Sequence, residues 1–235
     1  MLADLMALLS VTASAATYED YEQAILGKNV LGKRTASTRL WAWKKLRELY
    51  ALDPRVPVFR LLRRLWDAEA AARPVLALLA AMARDALLRS STDAITAATI
   101  GQPVTKNDFR QLVIRARGER FSESTMEAIL SHLVSSWTES GYLSGREKER
   151  FHPTVTPAAT AYALALGYLA GARGALLFST LWTSVLDTPE TTLHDHAREA
   201  SRRGWLTYRG IGKVVEITFE RLLTSDELRE LAVAQ

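Results

Sequence analysis

The sequence predicts a mainly α-helical protein, with a helical N-terminal bundle and a C-terminal helical part that carries short, winged-helix-like β-hairpins. Two observations lead to this fold class. Helix-type apolar spacing, bounded by capping residues and by glycine or proline, recurs along most of the 235 residues. The stretch WLTYRGIGKVVEITF, residues 205–219, is the clearest strand pair: its second half alternates between two faces, and its glycines favour a turn between the strands.

The N-terminal half is typical of helices joined by short connections. Its first stretch, MLADLMALLSVTASAA, faintly resembles a signal peptide, but it lacks a basic start and contains Asp4, which favours a first amphipathic helix. Gly27 should end a short acidic helix, and Ser37 is the expected cap of the next helix, which Asp53-Pro54 ends. The further helices expected in this half are 18–26, 37–52, 56–69 and 72–89, with a short fifth helix after residues 91–93.

The segment GQP, residues 101–103, is the best candidate for a domain boundary. It divides the chain into a basic helical domain, 1–103, and a helical domain with hairpins, 104–235. Ser124 and Glu127 form a capping-box pattern, and Gly145 marks the expected tip of a first hairpin. The helices expected in the second domain are 105–116, 124–140, two within 157–186, one from Thr188 to Gly204, and a last one opened by Thr224 and Glu227.

The order helix, helix, glycine, aromatic strand, turn, strand occurs twice in the second domain. The two copies centre on Gly141-Tyr142-Leu143 and on Gly204-Trp205-Leu206, with Gly210 and Gly212 expected at the turn of the second hairpin. This order resembles a winged helix–turn–helix and suggests a duplication.

Composition limits the chemistry and the compartment. The chain has no cysteine, which excludes disulfides, thiolate metal sites and cysteine nucleophiles and favours a reducing cytoplasm. A membrane span over residues 157–186 would place Arg173 near its middle, at a cost of about 2.5–3.5 kcal/mol. The glycines beside Arg173 instead favour a turn between two buried helices, so we expect a cytoplasmic protein that does not enter a membrane.

Catalysis has little support. His194 and His196 lie two positions apart in a predicted helix, about 200° around its axis, so they cannot point at one metal ion. No glycine-rich phosphate loop, nucleophile elbow or zinc-binding helix motif is present in the sequence. We therefore expect no enzyme activity, no cofactor, no metal site and no small-molecule substrate.

The charge of the chain is uneven. The formal net charge is only +4, yet residues 28–73 contain twelve basic and four acidic residues. Such asymmetry indicates an acidic partner, with nucleic acid first and a membrane surface second.

Helical geometry divides the basic window into faces. Trp43 falls on an apolar arc, whereas Trp41 falls on the arc that Lys44 and Lys45 share. In the next helix three arginines fall opposite the apolar stripe, which fits either a polyanion site or a solvated face. The candidate DNA-binding residues are Lys28, Lys33, Arg34, Arg39, Trp41, Lys44, Lys45, Arg60, Arg63, Arg64, Arg146, Lys148 and Arg150.

The stretch NVLGKRTASTRLWAWKKLRELYALDP, residues 29–54, resembles the basic, serine- and threonine-rich motif of BrxA, a small subunit of BREX phage-defence systems. AREASRRGWLTYRGIGKVVEITF, residues 197–219, resembles the ending of the same family. The resemblance implies a cytoplasmic, NusB-like helical protein without known catalysis that binds double-stranded DNA with little sequence preference, possible partners being other subunits of the defence complex. The family motif falls here on Lys33, Arg34, Thr35, Ser37, Thr38 and Arg39.

Two other functions stay open on the sequence. A winged-helix transcriptional regulator would read a defined operator, but the expected recognition helix, 124–140, has acidic residues at Glu127 and Glu139 and another just before it at Glu123. Acidic side chains are unfavourable in a phosphate-lined groove. A helical scaffold would instead use its basic face to bind an acidic protein partner. Binding to random duplex, and its dependence on salt, separates these functions.

Overall fold

The computed structural model describes residues 1–211 and 214–227 and confirms a mainly helical fold with two small antiparallel hairpins. The N-terminal helices are α1 (Leu2–Val11), α2 (Tyr18–Leu26), α3 (Ala36–Tyr50), α4 (Pro57–Ala68), α5 (Arg73–Arg84), α6 (Ala86–Ser90) and α7 (Thr92–Thr96). The later elements are α8 (Lys106–Arg117), α9 (Glu123–Glu139), β1 (Leu143–Ser144), β2 (Glu149–Arg150), α10 (Pro157–Leu169), α11 (Leu181–Ser184), α12 (Glu190–Arg202), β3 (Thr207–Ile211) and β4 (Val214–Thr218).

Capping residues explain where the helices begin. Thr17 and Asp20 form a capping box at the start of α2, whose bounds agree with the predicted 18–26. Thr35, not Ser37, caps α3, because its hydroxyl accepts from the backbone N–H of Thr38 at 3.1 Å. The helix therefore begins earlier than predicted.

The predicted helix 72–89 is in fact two helices. Asp85 has extended backbone angles at the end of α5, and its carboxylate accepts hydrogen bonds from the N–H groups of Leu87 and Leu88 at 2.8 and 3.1 Å. An aspartate side chain that bonds the backbone ahead of it competes with the continuing helix. Asp85 thus ends α5 and caps α6.

The first hairpin and the helices before it form the predicted winged-helix order. Gly145 lies at the tip of β1–β2 with a φ of 71°, a conformation that favours glycine. Pro103 forms an isolated antiparallel β-bridge with Glu149 of β2. Ser122 rather than Ser124 caps α9, and its hydroxyl accepts from the N–H of Thr125 at 3.3 Å.

The second hairpin follows the predicted alternation, with Ile217 and Phe219 buried and Val214 exposed. Gly210 is paired with Val215 inside the ladder, so it does not lie at the turn as expected, and Gly212 falls outside the described residues. Of the helix pair predicted in 157–186, only α10 is long; a 3₁₀ helix, Gly174–Ser179, and the short α11 replace the second.

One hydrophobic core contains residues from both sides of position 103. Helix α10 packs against α4 and α5, and the Tyr162 hydroxyl donates to the carbonyl oxygen of Val58 at 2.8 Å. The Trp137 indole N–H donates to the Ser91 hydroxyl at 2.8 Å in the same interior. The predicted division into 1–103 and 104–235 therefore does not coincide with a break in the core.

Apolar helices of this bundle are short. No helix among residues 1–211 and 214–227 is long and apolar enough to cross a membrane.

Candidate nucleic-acid interface

The loop between α2 and α3 presents the first basic side chains, and its shape is fixed by backbone contacts. The Asn29 side chain both donates to the carbonyl oxygen of Lys33 at 3.0 Å and accepts from its N–H at 2.9 Å. Asn29 and Gly32 have positive φ angles of 51° and 62°. This closed turn holds Lys28 and Arg34 exposed on either side of it.

The N-terminus of α3 follows directly from the loop and favours an anion. Its first turn contains no acidic residue, and the residues Ala36 to Thr38 are exposed. Backbone N–H groups at a helix start carry partial positive charge, which attracts phosphate oxygens. Arg34 precedes this turn and Arg39 ends it, so positive side chains flank the helix start.

Lys28, Arg34 and Lys44 are exposed cations of the basic stretch that have no ion pair with any residue that the structure describes. Two others are engaged. Lys33 pairs with Asp4 of α1 at 2.7 Å, and Lys45 pairs with Glu48 at 2.8 Å. Exposed, uncompensated cations are the groups that contact phosphates without reading sequence.

The two tryptophans of α3 differ in burial, as the helical geometry predicted. Trp41 is 52% exposed, whereas Trp43 is 3% exposed and packs edge-on against Tyr18. Leu40 is also exposed beside Trp41. Arg39 is half-buried, and its Nε has no hydrogen-bond partner among the described residues.

The arginines of α4 do not form the shared exposed face that was expected. Arg63 is only 6% exposed, and its guanidinium donates to Asp67 at 2.8 Å and to the carbonyl oxygen of Thr12 at 2.7 Å. Arg60 is half-buried and pairs with Glu227 at 2.5 Å. Arg64 remains exposed and donates to the carbonyl oxygen of Arg221. Helical spacing placed Arg63 opposite the core, but the carbonyl oxygen of Thr12, just after α1, and the Asp67 carboxylate hold its guanidinium.

The basic residues of the first hairpin also differ from one another in exposure. Arg146 is fully exposed at the tip. Lys148 is half-buried with a φ of 56°, and its carbonyl oxygen accepts from the N–H of Val104 at 3.1 Å. Arg150 is 1% exposed and pairs with Asp187 at 2.5 Å, so it holds the hairpin to the core and cannot reach a duplex.

The acidic residues of α9 are compensated from within the fold. Arg110 pairs with Glu123 at 2.6 Å and with Glu127 at 2.9 Å, and Lys106 pairs with Glu127 at 2.8 Å. These hydrogen bonds lower the pKa of both carboxyl groups. The Glu139 pKa is also lowered: burial opposes ionisation, but the Ser135 hydroxyl and a backbone N–H favour it. The acidity that counted against α9 as a recognition helix is thus largely neutralised.

Sequence reasoning missed three exposed arginines, Arg115, Arg117 and Arg120, at the end of α8 and in the turn before α9. None of them has an ion pair with a described residue. The Arg120 guanidinium lies 5.3 Å from the ring centroid of Phe121. In the sequence these arginines occur in the run RARGER. This run indicates a basic surface only when the turn between α8 and α9 is known to lie there.

The two histidines of α12 serve packing. His194 Nδ1 lies 3.0 Å from the Tyr208 hydroxyl, and His196 Nδ1 lies 3.0 Å from the Thr160 hydroxyl. No cluster of three or more potential metal ligands occurs in the part of the chain that the structure describes.

Comparisons with protein-family models, with curated proteins and with solved structures found no match to this chain.

Proposed function

We propose that this protein is a non-enzymatic DNA-binding component of a BREX-type phage-defence system. It binds double-stranded DNA with little sequence preference, through a basic surface formed by Lys28, Arg34, Lys44 and the start of α3. Trp41 lies on the exposed side of the same helix. The defence role rests on the resemblance of residues 29–54 to the BrxA motif.

One observation carries the DNA-binding part of the proposal. The loop 27–35 and the first turn of α3 bring exposed cations without ion pairs next to a helix N-terminus that has no acidic residue. Both the side-chain charges and the helix dipole attract phosphate, and neither distinguishes one base from another. Such a surface supports affinity that falls steeply with salt.

The test is a titration of labelled random-sequence duplex at several salt concentrations. Replacing Lys28, Arg34 and Lys44 by alanine should weaken binding to every duplex about equally. It should flatten the plot of log affinity against log salt by about 0.9 for each phosphate that the variant no longer neutralises. Unchanged affinity and slope would remove this surface from the interface.

The matched control removes the same charge elsewhere. Lys106, Arg198 and Arg202 are exposed and lie in ion pairs away from α3. Their triple alanine variant should retain most of the affinity and slope. If both triple variants lose affinity to the same extent, net charge alone explains the binding.

A winged-helix regulator is the second candidate, because the α9 glutamates are compensated and three arginines surround the turn before α9. This function requires strong discrimination between a selected duplex and random DNA. Replacement of Arg115, Arg117 and Arg120 by alanine should then abolish binding, whereas the α3 variant should retain specificity. Absence of retention on DNA at low salt would favour the scaffold function instead.

A further inference from the structure

A pocket of about 330 Å³ lies between α3, α5 and α9, beside the start of α1. Its apolar wall comes mostly from α5, through Pro74, Ala77, Leu78 and Ala81. Such a wall gives a water molecule few hydrogen-bond partners, and an apolar cavity of about 150 Å³ already holds benzene. The pocket is therefore large enough for a molecule of two fused rings.

One buried polar group opens into this pocket. Tyr50, at the end of α3, lines the pocket and is only 4% exposed, and its hydroxyl makes no hydrogen bond to a described residue. Unlike the Tyr21 hydroxyl, it is not closed off from accessible space. Burial, together with the charge of Glu139, raises the Tyr50 pKa above its ordinary value, so the hydroxyl stays protonated. Buried donors are almost always paired, so the pocket has a place for an acceptor beside this hydroxyl.

Trp41 stands at the mouth of the pocket. It lines the pocket, yet 52% of its surface is exposed. Aromatic rings favour offset-stacked or edge-on contact with one another, and such contact adds to the gain from burying their area. A flat ligand in the pocket would therefore cover apolar surface of the indole that is otherwise in water.

The charges around the pocket disfavour an anion. Three carboxylates line it, those of Glu48, Asp85 and Glu139. Lys45 also lines the pocket, but it pairs with Glu48 at 2.8 Å, and the Met1 amine lies 3.5 Å from Glu139. Among the described residues that line the pocket, no lysine or arginine is left to balance a ligand's negative charge.

We propose that this pocket binds a small, uncharged aromatic molecule that carries one hydrogen-bonding group. The Tyr50 hydroxyl donates to an oxygen or nitrogen atom of the ligand, the α5 side chains contact its rings, and Trp41 stacks on its outer part. Lys28, Arg34 and Lys44 lie outside the pocket, and this proposal does not depend on DNA binding.

The test is thermal unfolding of the full chain against naphthol, naphthalene and naphthoate. Naphthol should raise the Tm saturably. Naphthalene has the same rings without the hydroxyl, and it should bind about tenfold more weakly because one hydrogen bond is lost. Naphthoate should bind more weakly than naphthol, because its negative charge meets the three carboxylates.

Two variants assign the binding to this pocket. Tyr50→Phe keeps the ring but removes the hydroxyl, so it should abolish the preference for naphthol over naphthalene. Trp41→Ala should weaken the binding of both by about fivefold, since it removes the aromatic contact at the mouth.

Tyr18→Phe is the matched control, because it removes a tyrosine hydroxyl from a residue outside the pocket. It should bind both probes as the unaltered protein does. A Tm that does not rise with naphthol, equal affinity for naphthol and naphthalene, or a preference that survives Tyr50→Phe would overturn the proposal. Absence of binding would favour water, or an apolar side chain of a partner protein, as the occupant of the pocket.

Discussion

Trp43 shows how much one buried side chain contributes to this fold. Its ring packs edge-on against Tyr18, with centroids 5.2 Å apart, and the Arg47 guanidinium lies 5.9 Å from its centroid. Trp41, two residues earlier, has half its surface in solvent. The two positions therefore form a natural pair for comparing burial with exposure in one helix.

We expect Trp43→Ala to lower the free energy of unfolding by about 3–5 kcal/mol, because it removes buried aromatic surface and leaves a cavity. Trp41→Ala should change it by about 0.5 kcal/mol or less, as is usual for exposed positions. Urea unfolding of both variants measures the difference. Equal losses would mean that Trp41 also packs in the interior.

His196 makes stability depend on pH. Burial lowers its pKa below the ordinary value of 6.5, although the charges of Glu69 and Asp195 oppose this. The unfolded chain therefore binds more protons than the folded chain as the pH falls through 6.5. Stability is fully present above that pH and is lost on acidification through the folded pKa.

His196→Gln keeps a hydrogen-bonding group near Thr160 but cannot titrate. We expect its stability to change less between pH 7.5 and 5.5 than that of the unaltered protein, as measured by urea unfolding at each pH. The two pH values lie about one unit above and about one unit below the ordinary pKa of a histidine side chain. The same slope in both proteins would assign the pH dependence to other groups.

At the scale of the element, capping decides where α3 begins and hence how the basic loop is presented. The Thr35 hydroxyl accepts from the backbone N–H of Thr38 at 3.1 Å. The Thr38 hydroxyl accepts in turn from the backbone N–H of Thr35 at 3.2 Å. Ser37 is exposed, and its side chain makes no hydrogen bond to a described residue.

Thr35→Ala should therefore cost about 1 kcal/mol of stability, the usual loss for a helix cap. Ser37→Ala is the matched control, since it removes a hydroxyl from the same turn without removing a cap bond. It should be neutral or slightly stabilising, because alanine is the better helix former. Denaturant midpoints compare the two, and a larger loss at Ser37 would place the cap where the sequence first suggested.

At the scale of the whole molecule, α10 joins the two halves. Residues Ala158 to Gly167 are buried, and the helix contacts α4, α5, α11 and α12. Without α10, the apolar faces of α4 and α5 would be exposed to water. The stability of the N-terminal half therefore depends on a segment more than 50 residues beyond the predicted boundary at 103.

We expect the full chain to unfold in one cooperative transition and the fragment 1–103 to lack one. Circular dichroism at the helix band, followed with temperature, measures both, because removal of α10 exposes part of the core. A fragment that melted as cooperatively as the full chain would establish residues 1–103 as an independent domain.

The sequence determined what local chemistry controls. The bounds of α2, the hairpin at Gly145, the alternation in β4 and the different positions of Trp41 and Trp43 all follow from spacing and from turn or cap residues. The exact caps of α3 and α9 were missed by two residues, because neighbouring serines and threonines have nearly the same capping ability.

Only the tertiary structure decided which charged residues are free. Arg63 bonds a carbonyl oxygen 51 residues earlier, and Arg150 bonds Asp187, 37 residues later. Helical periodicity cannot anticipate such partners, since it describes the face a residue occupies and not what packs against that face. Long-range packing therefore buried two predicted DNA contacts, paired the acids of α9, and left Lys28, Arg34 and Lys44 exposed.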